Sequence, residues 1–308
     1  MMTPIIIVDK DSANKTPVKV TLLDANHCPG AIMFLFQIGT KRILHVGDFR
    51  WHKEKMRQLP PLEAFISSKY RLDELMLDTT YCNKKYAKLP TQEEAIRAAI
   101  QVMHKEMNDD KSVRRAFFKN VNNTGNNECS DQTLFLFGAY SIGKERIYMS
   151  AAKHFKKKIC VDSRRLKMIK AFNWPDDEMK IFTTNKSESN LWVVPLGHIN
   201  FDQMTKYMRQ KSSKTKGLSI PKIYRRVVGF RPTGWTFSPN RNEIISKRTS
   251  RQSTIYGVPY SEHSNFSELV DCLFCLKPRK ITPTVGVSKS NEQCQVLLDA
   301  VKDLEYDR

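Results

Sequence analysis

Residues Val18–Arg50, VKVTLLDANHCPGAIMFLFQIGTKRILHVGDFR, decide how this chain is read. Three apolar, β-rich runs (Val18–Leu23, Ala31–Ile38 and Ile43–Val46) are each closed by a polar or glycine turn, the pattern of successive strands. Two of the turns carry a residue able to hold a metal: His27 in Asn26-His27-Cys28-Pro29-Gly30, and Asp48 in Gly47-Asp48-Phe49-Arg50. A strand end is a rigid mount for a ligand, and Gly30 and Gly47 let the backbone pass close to what it holds. One imidazole with one carboxylate suits zinc or manganese. A catalytic zinc site uses about three protein donors and an open position, so two donors account for part of one. The bland readings are a turn histidine bonded to a backbone carbonyl, and a turn aspartate that pairs with Arg50.

Further blocks extend the pattern. Leu77-Asp78-Thr79-Thr80-Tyr81 follows the strand-like run Glu74–Leu77, which puts Asp78 at another strand end. Val258-Pro259-Tyr260-Ser261-Glu262-His263-Ser264 follows the strand-like Thr254–Gly257 and opens a helix with Ser264 as its N-cap. Phe230–Thr236 (FRPTGWT) and Thr282–Val287 (TPTVGV) complete the set.

In this order the blocks resemble the metallo-β-lactamase/β-CASP nucleases of DNA interstrand cross-link repair, from about Val18 to Val287. The resemblance implies an α/β fold: a metallo-β-lactamase αββα sandwich, N-terminally incomplete, with an inserted β-CASP domain of mainly parallel sheet covered by helices. It divides the chain into 1–82 (partial lactamase domain), 83–250 (insert) and 251–308 (lactamase return). The implied activity is metal-dependent 5′-to-3′ DNA exonuclease action in cross-link and strand-break repair in the nucleus. Zinc is the implied cofactor, as one or two divalent ions, with Mg or Mn as alternatives. DNA, with 5′-phosphate ends, is the implied partner. His27 matches a family metal ligand, and Asp48 the carboxylate that bridges two metals. Asp78 resembles the acidic residue that opens the insert, and His263 the catalytic histidine it orients beside the metals. Val285 stands where DNA-processing members carry valine. Ser141, Gly143 and Lys144, in Ala139-Tyr140-Ser141-Ile142-Gly143-Lys144-Glu145, resemble a loop that holds a terminal 5′-phosphate. The HxHxDH element that normally precedes Asn26–Gly30 is absent from these residues, which open Met1-Met2-Thr3-Pro4. The expectation is weak zinc binding and little nuclease activity by this chain alone. The alternative reading is an inactive DNA-binding module or a fragment of a full nuclease.

Composition points to a polyanionic partner. The 308 residues carry a net charge of +19 with an ordinary 40% hydrophobic content, and such a surplus needs an anionic partner or tolerance of self-repulsion. Gln203–Asn242 holds ten Lys/Arg and no Asp/Glu, and Lys144–Lys170 ten more against Glu145 and Asp162. A solvated basic face is the bland reading of either run. Beside this motif set, a nucleic-acid track explains both better. Lys156-Lys157-Lys158 is a candidate nuclear-import run. Seven scattered cysteines point to a reducing compartment, and Cys272-x-x-Cys275 reads as core packing on an apolar helix. No run approaches the ~18 apolar residues of a membrane span.

Along the chain, Val18–Asp78 reads as strand and loop, and Ile5–Val8 as a strand orphaned from its layer. Thr91-Gln92-Glu93-Glu94 is a capping box that opens a helix to about Met107. Asn108–Asp131 reads as an asparagine-rich flexible insertion. Strands at Thr133–Phe137, Lys158–Val161, Leu191–Val194 and Arg226–Phe230 alternate with helices at Lys144–Phe155, Arg164–Phe172 and Phe201–Gln210. This βα alternation predicts a parallel sheet. Lys211–Ser219 reads as a polar loop. Residues 254–308 read as strand, helix (Phe266–Leu276), strand (Lys280–Pro283) and helix, all in the lactamase fold.

Overall fold

A computed structural model describes residues 5–7, 17–118, 133–208 and 224–306. In chain order the elements are β1 (Ile5–Ile7), β2 (Val18–Asp24), β3 (Ile32–Ile38), β4 (Lys41–His45), α1 (Lys53–Arg57), α2 (Pro60–Ile66), β5 (Glu74–Leu77) and α3 (Gln92–Phe118). Next come β6 (Thr133–Ala139), α4 (Glu145–Phe155), β7 (Ile159–Cys160), α5 (Ser163–Lys170), α6 (Asp176–Met179), β8 (Phe182–Thr183), β9 (Leu191–Pro195) and α7 (Phe201–Met208). The chain closes with β10 (Arg226–Pro232), β11 (Ser246–Ser250), β12 (Ser253–Val258), α8 (Phe266–Leu276), β13 (Ile281–Pro283) and α9 (Ser290–Tyr306).

The chain divides into two compact units, Met1–Leu89 with Glu262–Arg308, and Pro90–Ser261. The divisions fall at 89/90 and 261/262, against the 82/83 and 250/251 expected. The first unit holds a six-stranded sheet in the order β1-β2-β3-β4-β5-β13. Strands β1 to β4 pair antiparallel, and β4, β5 and β13 pair parallel. Its core joins Leu23, Met33 and Leu44 of the strands to Leu62 and Phe65 of α2 and to Leu269, Val270 and Leu273 of α8. The run Val18–Asp78 is therefore not strand and loop alone: α1 and α2 interrupt it. Pro60 and Pro61 stand at the first positions of α2, where proline's fixed φ suits a helix start and its missing N–H is not needed. The run Ile5–Ile7 is not orphaned but pairs with β2, Ile5 opposite Val20.

The second unit holds a seven-stranded sheet in the order β11-β12-β10-β6-β9-β7-β8. Every pairing is parallel except β11 with β12. Alternate residues of β6 face opposite ways. Phe135 and Phe137 pack with Ala95, Ala99 and Met103 of α3 and Ile147 and Tyr148 of α4. Leu134 and Leu136 pack with Met204 and other residues of the α7 side. Both faces are covered, which is why β6 reads as a continuous apolar run rather than an alternating one. Strand β12, expected in the lactamase fold, lies instead between β10 and β11 of this sheet.

Local chemistry sets the helix starts. Thr91 and Glu94 form the expected capping box: the Thr91 N–H donates to Glu94 Oε2 at 2.8 Å and the Glu94 N–H to Thr91 Oγ1 at 3.2 Å. The helix it opens runs on past Met107 to Phe118. The remainder of the asparagine-rich stretch, 119–131, and the 211–219 loop lie outside the described residues. For α8 the N-cap is Asn265 rather than Ser264, in a full capping box with Glu268. No described helix is long and apolar enough to cross a membrane.

Candidate metal centre

The turn after β2 brings His27 to a group with Asp48, from the turn after β4, and His263, from the segment before α8. One donor atom from each lies within 4.8 Å of the others. The imidazole centroids of His27 and His263 are 4.6 Å apart, set edge to face at 62°.

Hydrogen bonds fix the tautomer of each ring. His27 Nδ1 lies 2.9 Å from the Glu262 carbonyl oxygen. A carbonyl only accepts, so Nδ1 carries the proton and Nε2 keeps its lone pair. His263 Nδ1 lies 2.7 Å from Asp78 Oδ2, and a carboxylate likewise accepts, so His263 donates through Nδ1. A metal-binding histidine ordinarily donates its other N–H to a carboxylate or carbonyl, and both rings meet that condition. The donor set, two imidazole nitrogens and a carboxylate oxygen, matches zinc in kind and number.

Asp78 is 1% exposed. Its Oδ2 receives the His263 ring and the Phe49 N–H (3.3 Å), while Oδ1 receives the Thr80 N–H and hydroxyl at 3.0 and 2.6 Å. Burial pushes its carboxyl toward the neutral form, but the hydrogen bond and charge of His263 and the Thr80 bonds outweigh it. The carboxyl is held below its ordinary value.

The turns are stitched together by backbone. The Arg50 N–H donates to the Ala25 carbonyl, and Asn26 Nδ2 to the Arg50 carbonyl. Ser264 joins the Asp48 turn to the His263 segment: its N–H donates to the Phe49 carbonyl, and its Oγ accepts from the Trp51 N–H at 2.9 Å. The buried Arg50 pairs with Glu268 at 2.9 Å. Gly47 sits at φ +57°, a left-handed conformation natural to glycine. Ser264 lies inside a quoted motif, yet nothing in its type distinguishes a strut from a cap. The Glu262 carbonyl has no side-chain signal at all. His45 accepts the Gly47 N–H at Nδ1, 3.0 Å away.

Of the other expected site residues, Val285 is 38% exposed, and its carbonyl accepts from Thr79 Oγ1 at 2.7 Å and Gln293 Nε2 at 3.2 Å. Ser141, Gly143 and Lys144 belong to the second unit, in the loop between β6 and α4. Gly143 and Lys144 take positive φ, +98° and +70°. The Gly143 N–H donates to Glu145 Oε1 at 2.8 Å, so an arriving phosphate would have to displace that carboxylate. Lys144 is buried, its Nζ 5.2 Å from the centre of the Tyr260 ring.

Residues 176–289, which include His263 and Val285, match the family model described as DNA repair metallo-beta-lactamase. Over these residues the chain is similar to DNA repair metallo-β-lactamases. It is 36% identical over 90% of its length to DNA ligase 6 of Arabidopsis thaliana, and 36% identical over 87% to the DNA cross-link repair protein SNM1 of the same plant. It is 29% identical over 90% of its length to the 5′ exonuclease Apollo of Danio rerio. The matches cover 18%, 49% and 38% of those proteins, so the chain spans less than half the length of each. In the first unit, His27, Asp48 and His263 all stand on segments that leave or approach elements of the structure.

Proposed function

We propose that this chain carries a metal-dependent hydrolase site for DNA phosphodiesters, acting as a 5′-to-3′ exonuclease in interstrand cross-link and strand-break repair in the nucleus. The observation that carries the reading is the convergence of His27, Asp48 and His263, each imidazole with Nδ1 engaged by an oxygen outside the trio. Sequence alone counts two donors here, His27 and Asp48. Counted with His263, which lies beside them, they make the three that a catalytic zinc site ordinarily uses. That count favours binding of at least one divalent ion by this chain, zinc before Mn or Mg on donor chemistry. When bound, such an ion polarises the phosphate and offsets charge developing on it.

The remaining work falls to side chains. Asp78 accepts the Nδ1 proton of His263 and thereby orients the ring. His263 presents Nε2 toward the site, where it either donates to the ion or positions the leaving oxygen. DNA as substrate and Val285 as the DNA-type position follow the names of the relatives and the pattern of the motifs. The preference for 5′-phosphate ends is assigned to Ser141, Gly143 and Lys144, with the Glu145 contact giving way.

Digestion of end-labelled DNA tests this. Activity is expected to require added Zn²⁺ or Mn²⁺, to stop with chelator and to vanish in Asp48→Ala. A 5′-phosphate end is expected to be preferred over a 5′-hydroxyl, and Lys144→Ala to erase that preference. Binding of DNA without metal-stimulated cutting would contradict the hydrolase and favour a binding module, the reading to which the two basic runs also conform.

A further inference from the structure

In the second unit, a cleft of about 340 Å³ opens at the carboxyl ends of β6, β7 and β9. Its walls include Tyr140 and Ser141 after β6, Asp162 and Arg165 after β7, and Pro195 and Gly197 at the end of β9. The location has a topological cause. The chain leaves β6 through α4, which packs on the Phe135/Phe137 face, and leaves the neighbouring β9 toward α7, which packs on the Leu134/Leu136 face. Where adjacent parallel strands send their connections to opposite faces, a crevice forms beyond their carboxyl ends, and open α/β sheets bind ligands there.

Arg165 makes the cleft unusual. The residue is 6% exposed, yet no carboxylate pairs with its guanidinium among the described residues. One nitrogen donates a long 3.4 Å bond to the Ser141 carbonyl, and the buried Nε has no partner. The Asp162 carboxylate caps α5 through the backbone N–H of Arg165, at 2.8 Å. A buried charge left without a counter-ion costs several kcal/mol, and the cleft is where one would enter. Arg164 adds a second guanidinium to the wall, and Tyr140, 58% exposed, offers an aromatic face at the mouth.

We propose that this cleft binds a phosphate ester of a nucleotide, with the phosphate on Arg165 and the base against Tyr140. A guanidinium fork matches phosphate oxygens in charge and geometry, and a tyrosine ring stacks bases of any sequence. The site is built from second-unit residues alone and does not depend on hydrolysis. It also differs from the backbone cradle expected at Ser141–Lys144, because its anchor is a side chain of α5.

Calorimetric titration and thermal unfolding of the 308-residue chain test the proposal, with inorganic phosphate, deoxyadenosine, deoxyadenosine 5′-monophosphate and a short single-stranded oligonucleotide as probes. Phosphate and the monophosphate are expected to bind and to raise the unfolding midpoint, and deoxyadenosine to do neither. Arg165→Met is expected to weaken both bound ligands by about tenfold or more. Tyr140→Ala is expected to weaken the monophosphate and leave inorganic phosphate unchanged. Should Arg165→Met fail to fold, Tyr140→Ala decides, since its ring is exposed and carries no core. Arg165-dependent binding of the monophosphate alone identifies a free nucleotide; the same dependence for the oligonucleotide identifies a strand phosphate. No binding of phosphate or monophosphate, or undiminished monophosphate binding in either folded variant, overturns the proposal.

Discussion

Asp78 divides its two oxygens between fold and site, Oδ1 closing a turn with Thr80 and Oδ2 holding His263. Asp78→Asn keeps the shape but offers no carboxylate to the imidazole. Losing such a partner lowers metal affinity or activity by about tenfold to a hundredfold, and a zinc titration of the variant against wild type measures it. The same residue gives a pH prediction. Its folded carboxyl lies below the ordinary value of 3.8, so its contribution to stability is fully present above that value and is lost as pH falls through the lower folded one. The stability gap between wild type and Asp78→Asn, read from urea midpoints, is therefore expected to be constant above pH 3.8 and to close below it. A gap that widens on acidification contradicts the network. His27, Asp48 and Asp78 were legible as site candidates because each ends a strand in a quoted motif. The tautomers were not, since the Glu262 carbonyl that fixes His27 lies 235 residues away and carries no side-chain signature.

At the scale of elements, a buried carboxylate ties three strands of the parallel sheet to α3. Glu106 accepts from Tyr256 Oη of β12 and Arg226 of β10, with Lys247 of β11 at 3.5 Å. Burial disfavours its charge, but these partners prevail and hold its carboxyl below the ordinary range. Glu106→Ala removes the carboxylate that Tyr256 and Arg226 both bond, at a cost of about 2–3 kcal/mol that a urea melt would reveal. Gly138 on β6 is similarly constrained: a Cβ there would lie 2.7 Å from Ile199 Cγ1 and 3.2 Å from the Leu196 Cα. Gly138→Ala is expected to destabilise by about 1–3 kcal/mol. Most elements with an apolar period were legible, α8 to the residue. Strand β11 was not, because SKRTS is polar and its edge position asks for no apolar face. The assignment of β12 to the lactamase fold failed for a different reason: which sheet a strand joins is set by distant pairing, here with β10, which no local pattern encodes.

For the molecule as a whole, charge predicts behaviour that no single residue does. With a surplus of +19 and two long basic runs, DNA affinity should fall linearly in log–log terms as salt rises, because each neutralised phosphate releases counter-ions. A slope near zero would remove DNA as the partner of this surface. The likeness to DNA repair proteins was legible in the order of the motifs, while His263 was read there as a catalytic histidine and not as a candidate donor. His263 lies more than two hundred residues from His27 and Asp48, and folding alone brings the three together. Zinc-edge anomalous diffraction from crystals soaked in zinc shows whether this trio holds a divalent ion. An anomalous peak is expected about 2 Å from Nε2 of His27, Nε2 of His263 and a carboxylate oxygen of Asp48. Zinc bound elsewhere, with no peak among these three side chains, would contradict it.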